Sequence, residues 1–446
     1  MSSPSGLWRN WGRTVSASPL GVAAPRSLGE VVDVVTRARA TRRRVKAVGA
    51  GHSFTAIAQA DDVQVTLDGL QGLIAVDRQA RTATLAAGTR LHQIPALLAP
   101  HGLAMTNLGD IDAQSIAGAI STGTHGTGAR FGGIATQVIG AVLVTGTGEV
   151  LRVTSGEDGE NAEGGENADL LPAVALGLGA LGILTEVTLQ CVDAFDLHAT
   201  ERVEPLEDVL ASVHERAASA DHLEFYWFPH TDLAMTKTNR RLPAGQRRDP
   251  LPAHRAWLDE VVMANGVFGA TCALGRAAPV LVPRINRIAA RLSGERTYTD
   301  ASHRVFATRR TVRFSEMEYA IPAGEVVGAL RAIRSLIEER GWRISFPLEV
   351  RFAAADDLWL STAHGRDSAY IAVHRAQGED PRPYFHAVEA LLRARGGRPH
   401  WGKMHTRRAA DLAPAYPRFA DFQALREELD PDRVFANAYL RRVLGS

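Results

Sequence analysis

Four polar residues in the second half of the chain, Glu349, Arg351, His374 and Lys403, are of types that could share acid–base work. A carboxylate orients a hydroxyl and accepts its proton, and an imidazole serves as a second base or as a positioning donor. Fixed cations such as Arg351 and Lys403 hold oxygens and stabilise negative charge in a dry pocket. Glu349 and Arg351 stand two residues apart in Phe346-Pro347-Leu348-Glu349-Val350-Arg351-Phe352, so on a strand they share one side while Leu348, Val350 and Phe352 share the other. His374 closes the apolar run Tyr370-Ile371-Ala372-Val373, and Lys403 follows Trp401-Gly402. Both are expected on strands, with Trp401 as an aromatic wall. Each also has a plain structural reading: a solvated salt pair, a hydrogen-bonded histidine, a surface lysine.

Two small-residue segments in the first half read as ligand cradles. In Val45-Lys46-Ala47-Val48-Gly49-Ala50-Gly51-His52-Ser53-Phe54 a short alternating run ends at two glycines, which let backbone amides approach a phosphate closely. A dinucleotide fingerprint would need a third glycine and a helix directly afterwards. Both are missing, and Val63 to Leu67 already reads as the next strand, so a strand–loop–strand cradle fits better. His52 would flank the bound group, or cap a neighbouring carbonyl. The second segment runs from Leu108 to Gly128 and is dense in Gly, Ser and Thr, which suits close backbone approach to a flat ligand. A Gly-rich surface loop is its structural alternative.

Val48-Gly49-Ala50-Gly51-His52-Ser53-Phe54 resembles the V-G-x-G-H-S-x signature of the vanillyl-alcohol-oxidase-type flavoproteins. Within them the chain most resembles the aldonolactone oxidoreductases, the L-gulono-1,4-lactone and D-arabinono-1,4-lactone oxidases and dehydrogenases. The resemblance implies FAD held by Val48, Gly49, Ala50, Gly51, His52 and Ser53. In many members the histidine matching His52 is bonded covalently to the flavin, and in others that bond is absent. The second segment is similar to the family's G-x-x-x-T-G-T-H-G run, which implies flavin contacts from Asp110, Ser115, Gly118, Thr122, Gly123, Thr124 and His125. Gly109 matches a position carrying Gly or Ala in relatives, beside the flavin's oxygen-reactive carbon, and Gly there leans towards oxygen access. Leu181 to Leu189 resembles an L-G-x-x-x-x-V-T-L segment, implying Ile183 on the adenine side. The E-x-R pair, the histidine closing the following strand and the lysine of W-G-K match groups lining the substrate side in sugar-lactone and alditol oxidases. Pro431 to Tyr439 resembles a closing P-x-x-x-F-x-N-x-Y motif, a strand or turn returning to the flavin, with a Pro-Asp turn before a last strand as the plain alternative. The likeness spans Trp8 to Leu444, with the acidic Ser155 to Asp169 insertion outside it.

The elements that must position these groups alternate. Ser27-Leu28-Gly29-Glu30 reads as a capping box opening a helix that ends near Arg42-Arg43-Arg44. Short strands are expected at Val63 to Leu67, Leu73 to Val76 and Thr82 to Ala86, and a helix at Leu91 to Leu98. A hairpin follows at Val138 to Val144 and Val150 to Val153, then a strand over Leu181 to Leu189. Beyond Phe195 strands are read at Leu223 to Phe228 and Leu233 to Asn239, and helices at Val280 to Leu292 and Gly324 to Arg340. The fold class is α+β: a two-domain flavoprotein with an FAD-binding α+β domain at 14–194. Residues 195–446 form a substrate or cap domain of mixed sheet and flanking helices, whose C-terminal segment returns to the flavin.

A chain of 446 residues with 45% hydrophobic and 22% charged residues has the composition of an ordinary globular protein. The net charge of +1 argues against nucleic-acid binding. Cys191 and Cys272 alone argue against a disulfide framework or structural zinc, and no metal site is expected. No run approaches a membrane span, and a cytoplasmic setting is the default. The expected activity is FAD-dependent oxidation of a sugar 1,4-lactone, with oxygen or an electron carrier taking the electrons. An alditol (polyol) oxidase and a non-catalytic nucleotide-binding protein are the alternatives.

Overall fold

Ser27 opens the first helix, Leu28–Ala40, by accepting a hydrogen bond from the Glu30 amide at 3.2 Å. Glu30 does not complete the reciprocal half of a capping box, because its carboxylate accepts from the Arg26 amide instead. Val31, Val35 and Ala38 form the buried face. The helix ends at Ala40, so Arg42 to Arg44 lie just beyond it and Arg37 and Arg39 occupy the last turn. The computed structural model describes residues 6–156, 165–242, 248–258, 265–292, 294–308 and 311–446. The middle of the acidic insertion therefore lies outside the described residues.

Strands Gly21–Ala23, Val63–Thr66 and Val45–Val48 pair in parallel in that order. Between the last two in sequence lie the glycine loop and one 3-10 turn, Ala56–Ala58, so the strand–loop–strand expectation holds. A five-stranded antiparallel sheet lies alongside, in the order Val150–Thr154, Val138–Val144, Ile183–Gln190, Thr82–Ala86 and Leu73–Asp77. Leu91 to Leu98 is helical as expected, a 3-10 turn leading into Ile94–Leu98. Pro95 sits in that helix's first turn, where its missing amide sacrifices no bond.

The second half is built on an eight-stranded antiparallel sheet ordered Arg296–Ala301, Asp196–Pro205, Leu233–Leu242, His222–Trp227, Leu348–Ala353, Ser368–Ala376, Phe314–Pro322 and Arg398–Pro399. Alternation splits it into two faces. Leu223, Phe225, Leu348, Val350, Phe352, Met317, Tyr319, Ile371 and Val373 point into one apolar core with helices Leu206–Ser219, Val326–Glu339 and Arg382–Arg393. Each such side chain contributes about 1.5–3 kcal/mol by leaving water. The opposite face carries Glu224, Tyr226, Glu349, Arg351, Glu316, Glu318 and His374, and every one of them is buried.

What covers that polar face is the first half of the chain. The Phe54 amide donates to Gly402 O at 2.6 Å, the Gly128 amide to Phe352 O at 2.8 Å, and the Thr308 amide to Asp110 O at 2.9 Å. The C-terminal segment completes the closure. The Val45 amide donates to Val434 O at 2.8 Å, and Asn437 Nδ2 reaches the carbonyls of Ala56, Ile57 and Gln59, each at 3.0 Å. Asn437 Oδ1 meanwhile caps the last helix, Ala438–Leu444, accepting from the Leu440 amide at 2.9 Å. The closing motif is thus a turn and a capped helix, not a last strand, because asparagine at this place satisfies orphan helix amides.

Candidate active site

The glycine loop leaves Val48 with Gly51 in the left-handed region, at φ +70°. A Cβ on Gly49 would stand 2.4 Å from Ser115 Oγ, so the loop packs directly on the second small-residue segment. Ser115 in turn caps helix Ile116–Ser121, accepting from the Gly118 amide at 3.2 Å. One cleft is lined by Val48 to Ser53 on one side and by Ser115, Gly118, Thr122, Gly179, Gly182 and Leu184 on the other. Its walls mix bare backbone and hydroxyls with the aliphatic Ile57, Leu67 and Leu178, and Lys46 borders it. This donor set suits a dinucleotide phosphate lying against bare backbone.

The cleft continues into a pocket bounded by His52, Ser53, Phe54, Gly109, Asp110, Thr122, Thr124 and His125 on one side and Glu316, Glu318, Glu349, Arg351, His374 and Lys403 on the other. The sheet register sets the second wall. Glu349 lies opposite Tyr226 on one neighbour and Ala372 on the other, Ala372 lies opposite Glu318, and His374 lies opposite Glu316. Arg351 pairs with Glu349, with Glu224 at 3.0 Å and with Asp110 at 3.3 Å. Tyr226 donates to Glu349 Oε1 at 3.1 Å. Lys403 Nζ pairs with Glu316 Oε2, and His374 Nε2 lies 3.6 Å from Glu316 Oε1. The solvated salt pair allowed by the Glu349–Arg351 spacing is excluded, because both side chains are buried.

Burial and charge pull against each other here. For Arg351, burial favours the neutral form, but Glu349, Asp110 and Glu224 outweigh it and hold the guanidinium charged well above its ordinary range. Burial likewise opposes ionisation of Glu316, yet Lys403 and His374 bring it down to about 2. Glu318 is held well below its usual range by His125 against the same burial. His52 is pushed down to about 4, by burial first and then by Lys403 and Arg90, so its ring is neutral. It stacks on Trp11 with ring centroids 5.4 Å apart.

His125, Glu318 and His400 stand close enough together to hold a metal ion. Three of their four ring nitrogens have a hydrogen-bond or ion-pair partner. His400 Nδ1 accepts from the Gly402 amide at 3.0 Å, so its proton sits on Nε2. His125 Nδ1 lies 2.8 Å from the Gly126 carbonyl and its Nε2 3.3 Å from Glu318.

All four residues expected to do chemistry, Glu349, Arg351, His374 and Lys403, meet in this pocket. Two expectations about their setting need correction. Lys403 is not on a strand: its amide donates to His400 O at 3.0 Å, closing a turn beyond Arg398–Pro399. Trp401 does not line this pocket: its ring is buried against Tyr416, its Nε1 donates to Leu360 O at 2.7 Å, and it borders an adjoining cavity with His125 and His400 instead. The aromatic beside the ammonium is Phe54, with Nζ 5.3 Å from the ring centroid. Asp110 faces Arg351, Gly123 lines an adjoining cavity with Thr122 and His125, and Ile183 is buried between cleft-lining Gly182 and Leu184. Sequence reading missed Tyr226, Glu224, Glu316, Glu318 and His400. Glu316 and Glu318 carried the same i, i+2 signal as Glu349 and Arg351.

The profile of a family described as FAD binding domain matches residues 19–154, and that described as D-arabinono-1,4-lactone oxidase matches residues 187–443. An L-gulono-1,4-lactone dehydrogenase from Mycobacterium tuberculosis is 41% identical over 441 residues, covering 99% of this chain and all of its own length. An L-gulonolactone oxidase from Bos taurus is 32% identical over 447 residues, covering 98% of each. Among solved structures, a cholesterol oxidase from B. sterolicum superposes with a TM-score of 0.80 at 16% identity, over 99% of this chain and 97% of that one. That likeness shows the shared two-domain fold.

Proposed function

Since the chain belongs to the D-arabinono-1,4-lactone oxidase family and carries an FAD-binding domain, we propose that it oxidises a sugar 1,4-lactone of the L-gulono or D-arabinono type at a secondary alcohol. The carbinol carbon loses its hydrogen with both bonding electrons, and the hydroxyl loses its proton, leaving a carbonyl. When bound, FAD supplies the two-electron acceptor, its N5 taking the hydride.

This chain's residues supply the rest. Glu349, steadied by Arg351 and by the Tyr226 hydroxyl, accepts the hydrogen bond of the reacting hydroxyl and then its proton. A carboxylate paired to arginine is a weak base. It suffices here because the hydroxyl becomes strongly acidic as the hydride departs. Arg351 and Lys403 hold substrate oxygens and offset negative charge. His374 acts as a donor, because Nδ1 faces the Pro347 carbonyl at 3.1 Å and Nε2 faces Glu316. The covering segments keep water out. His52, neutral and stacked on Trp11, is suited to a covalent tether to the cofactor. The electrons pass on to oxygen or a carrier, and Gly109 favours oxygen.

One observation carries this reading. A single pocket holds Glu349, Arg351, His374 and Lys403 on one wall and His52 with the 109–125 segment on the other. The test is anaerobic mixing of the FAD-loaded protein with L-gulono-1,4-lactone, with xylitol as comparator. The visible absorbance should bleach with the lactone, and Glu349→Gln should slow bleaching by roughly 10²–10⁴-fold while FAD stays bound. Equal bleaching by the variant would remove Glu349 from the proton transfer. A protein that is colourless after incubation with FAD and removal of the unbound cofactor would end the proposal.

A further inference from the structure

Of the 50 lysines and arginines in the chain, only three are lysines: Lys46, Lys237 and Lys403. Each is committed to a defined acceptor. Lys46 Nζ donates to Gly179 O at 3.0 Å, Lys237 Nζ donates to Val305 O at 2.7 Å, and Lys403 Nζ pairs with Glu316. Where a cation need only be solvated the chain uses arginine. Of the three, Lys403 alone takes a carboxylate as its nearest partner.

We propose that Glu316 is a positioning residue, which keeps Lys403 charged and aimed into the substrate side of the pocket. The inference rests on reading this pocket as the site of lactone oxidation. Glu316 bridges two elements: one carboxylate oxygen meets the Lys403 turn and the other faces His374 on the neighbouring strand. The Phe54 ring covers one side of the ammonium, whose side chain stays 23% exposed. Glu318 beside Glu316 and Asp110 from the covering loop also favour the charged form, whereas His52, His374 and His400 nearby offer the ammonium no acceptor of comparable charge. Burial opposes the charge, and Glu316 is the largest of the groups that outweigh it, holding Lys403 above its ordinary range. A neutral amine would lose most of its hold on a substrate oxygen carrying negative charge.

With only three lysines, FAD-loaded protein labelled with 13C at the lysine ε-carbon gives three resonances to follow, and a Lys403→Met sample assigns one of them. In wild type the Lys403 resonance should stay that of the charged form from about pH 6.5 to 9.5. In Glu316→Gln its titration should move down into that window, since burial then acts against one carboxylate fewer. In parallel, anaerobic bleaching by L-gulono-1,4-lactone in Glu316→Gln should fall roughly tenfold as pH rises through the new titration, and Glu316→Asp should restore the flat profile. Lys403→Met should be slow at every pH, and adding Glu316→Gln to it should cost little more, since the two act as one unit. A Lys403 resonance that behaves alike in wild type and Glu316→Gln would overturn the proposal. So would losses that multiply in the double variant. If the wild-type flavin is not bleached by the lactone but the resonance still shifts, the functional reading fails while the pairing stands.

Discussion

Replacing Gly49 by alanine tests whether the two small-residue segments form one cradle. The residue is not in the left-handed region, so alanine meets no backbone strain, and the effect comes from where the methyl group points. It would stand 2.4 Å from Ser115 Oγ and 3.5 Å from Ser115 Cβ. The first distance forces the hydroxyl to swing away, and the second is ordinary van der Waals contact. Losing the Ser115 hydroxyl from its post uncaps helix Ile116–Ser121, at a cost of about 0.5–2 kcal/mol, and removes a lining hydroxyl of the cleft. The lost hydroxyl contact, about 0.5–1.5 kcal/mol, should weaken FAD binding by roughly two- to tenfold, whereas the uncapping lowers the stability of free and bound protein alike. The assay is quenching of FAD fluorescence on titration with apo-protein, in a His52→Ala background so that binding stays reversible. Ser115→Ala alone should give a milder loss from the same origin. Gly49→Ala added to Ser115→Ala should then cost little more, because the clashing atom is gone. Equal penalties for Gly49→Ala with and without the Ser115 hydroxyl would refute the reasoning.

Three other perturbations follow from the same geometry. His52→Ala should let FAD leave the denatured chain, whereas in wild type the covalent bond proposed at His52 should retain it; acid precipitation followed by a spectrum of the supernatant decides. In Gly109→Ala the new methyl would stand 3.1 Å from His125 O, so flavin reoxidation by air should slow by roughly tenfold while anaerobic reduction changes less. Lys46 is pushed down to about 7, chiefly by burial and then by Arg426, so the unfolded chain binds one more proton than the folded one from about pH 7 up to the ordinary lysine value of 10.5. Stability from this group therefore rises with pH across that window, by at most about 5 kcal/mol, and is missing below it. Lys46→Met should flatten the rise in melting temperature from neutral to alkaline pH, and an unchanged slope would place the effect elsewhere.

The parts of the fold that sequence reading recovered are those set by neighbours a few residues away. Ser27 begins a helix because its hydroxyl reaches the Glu30 amide, and Val138–Val144 pairs with Val150–Thr154 across a short turn. Lys403 was misplaced on a strand because its turn is made by contacts the local pattern does not encode. The His400 ring takes the Gly402 amide, and Phe54, far away in sequence, takes the Gly402 carbonyl. Burial of Glu349 and Arg351 was equally out of reach. One strand shows which residues share a side, but whether that side meets water depends on the 52–54 and 108–128 segments laid over it.

Glu316 and Glu318 show why half of the site stayed hidden. The run Phe314–Pro322 has the same alternation as Leu348–Ala353, with Met317 and Tyr319 on the apolar side, and either strand could equally present its acids to solvent. Sheet order decides. Phe314–Pro322 lies beside Ser368–Ala376, which puts Glu316 across from His374 and puts Glu318 and Glu349 on either side of Ala372. With Glu224, four carboxylates thus share one face, and their partners divide the work. Glu349 is steadied by arginine and tyrosine, Glu316 is shared between lysine and histidine, and Glu318 is taken by His125. A slip of one residue in that register would carry the charged set into the apolar core and the apolar set into the pocket. The chemistry of the pocket is therefore a property of strand pairing before it is a property of any one acid.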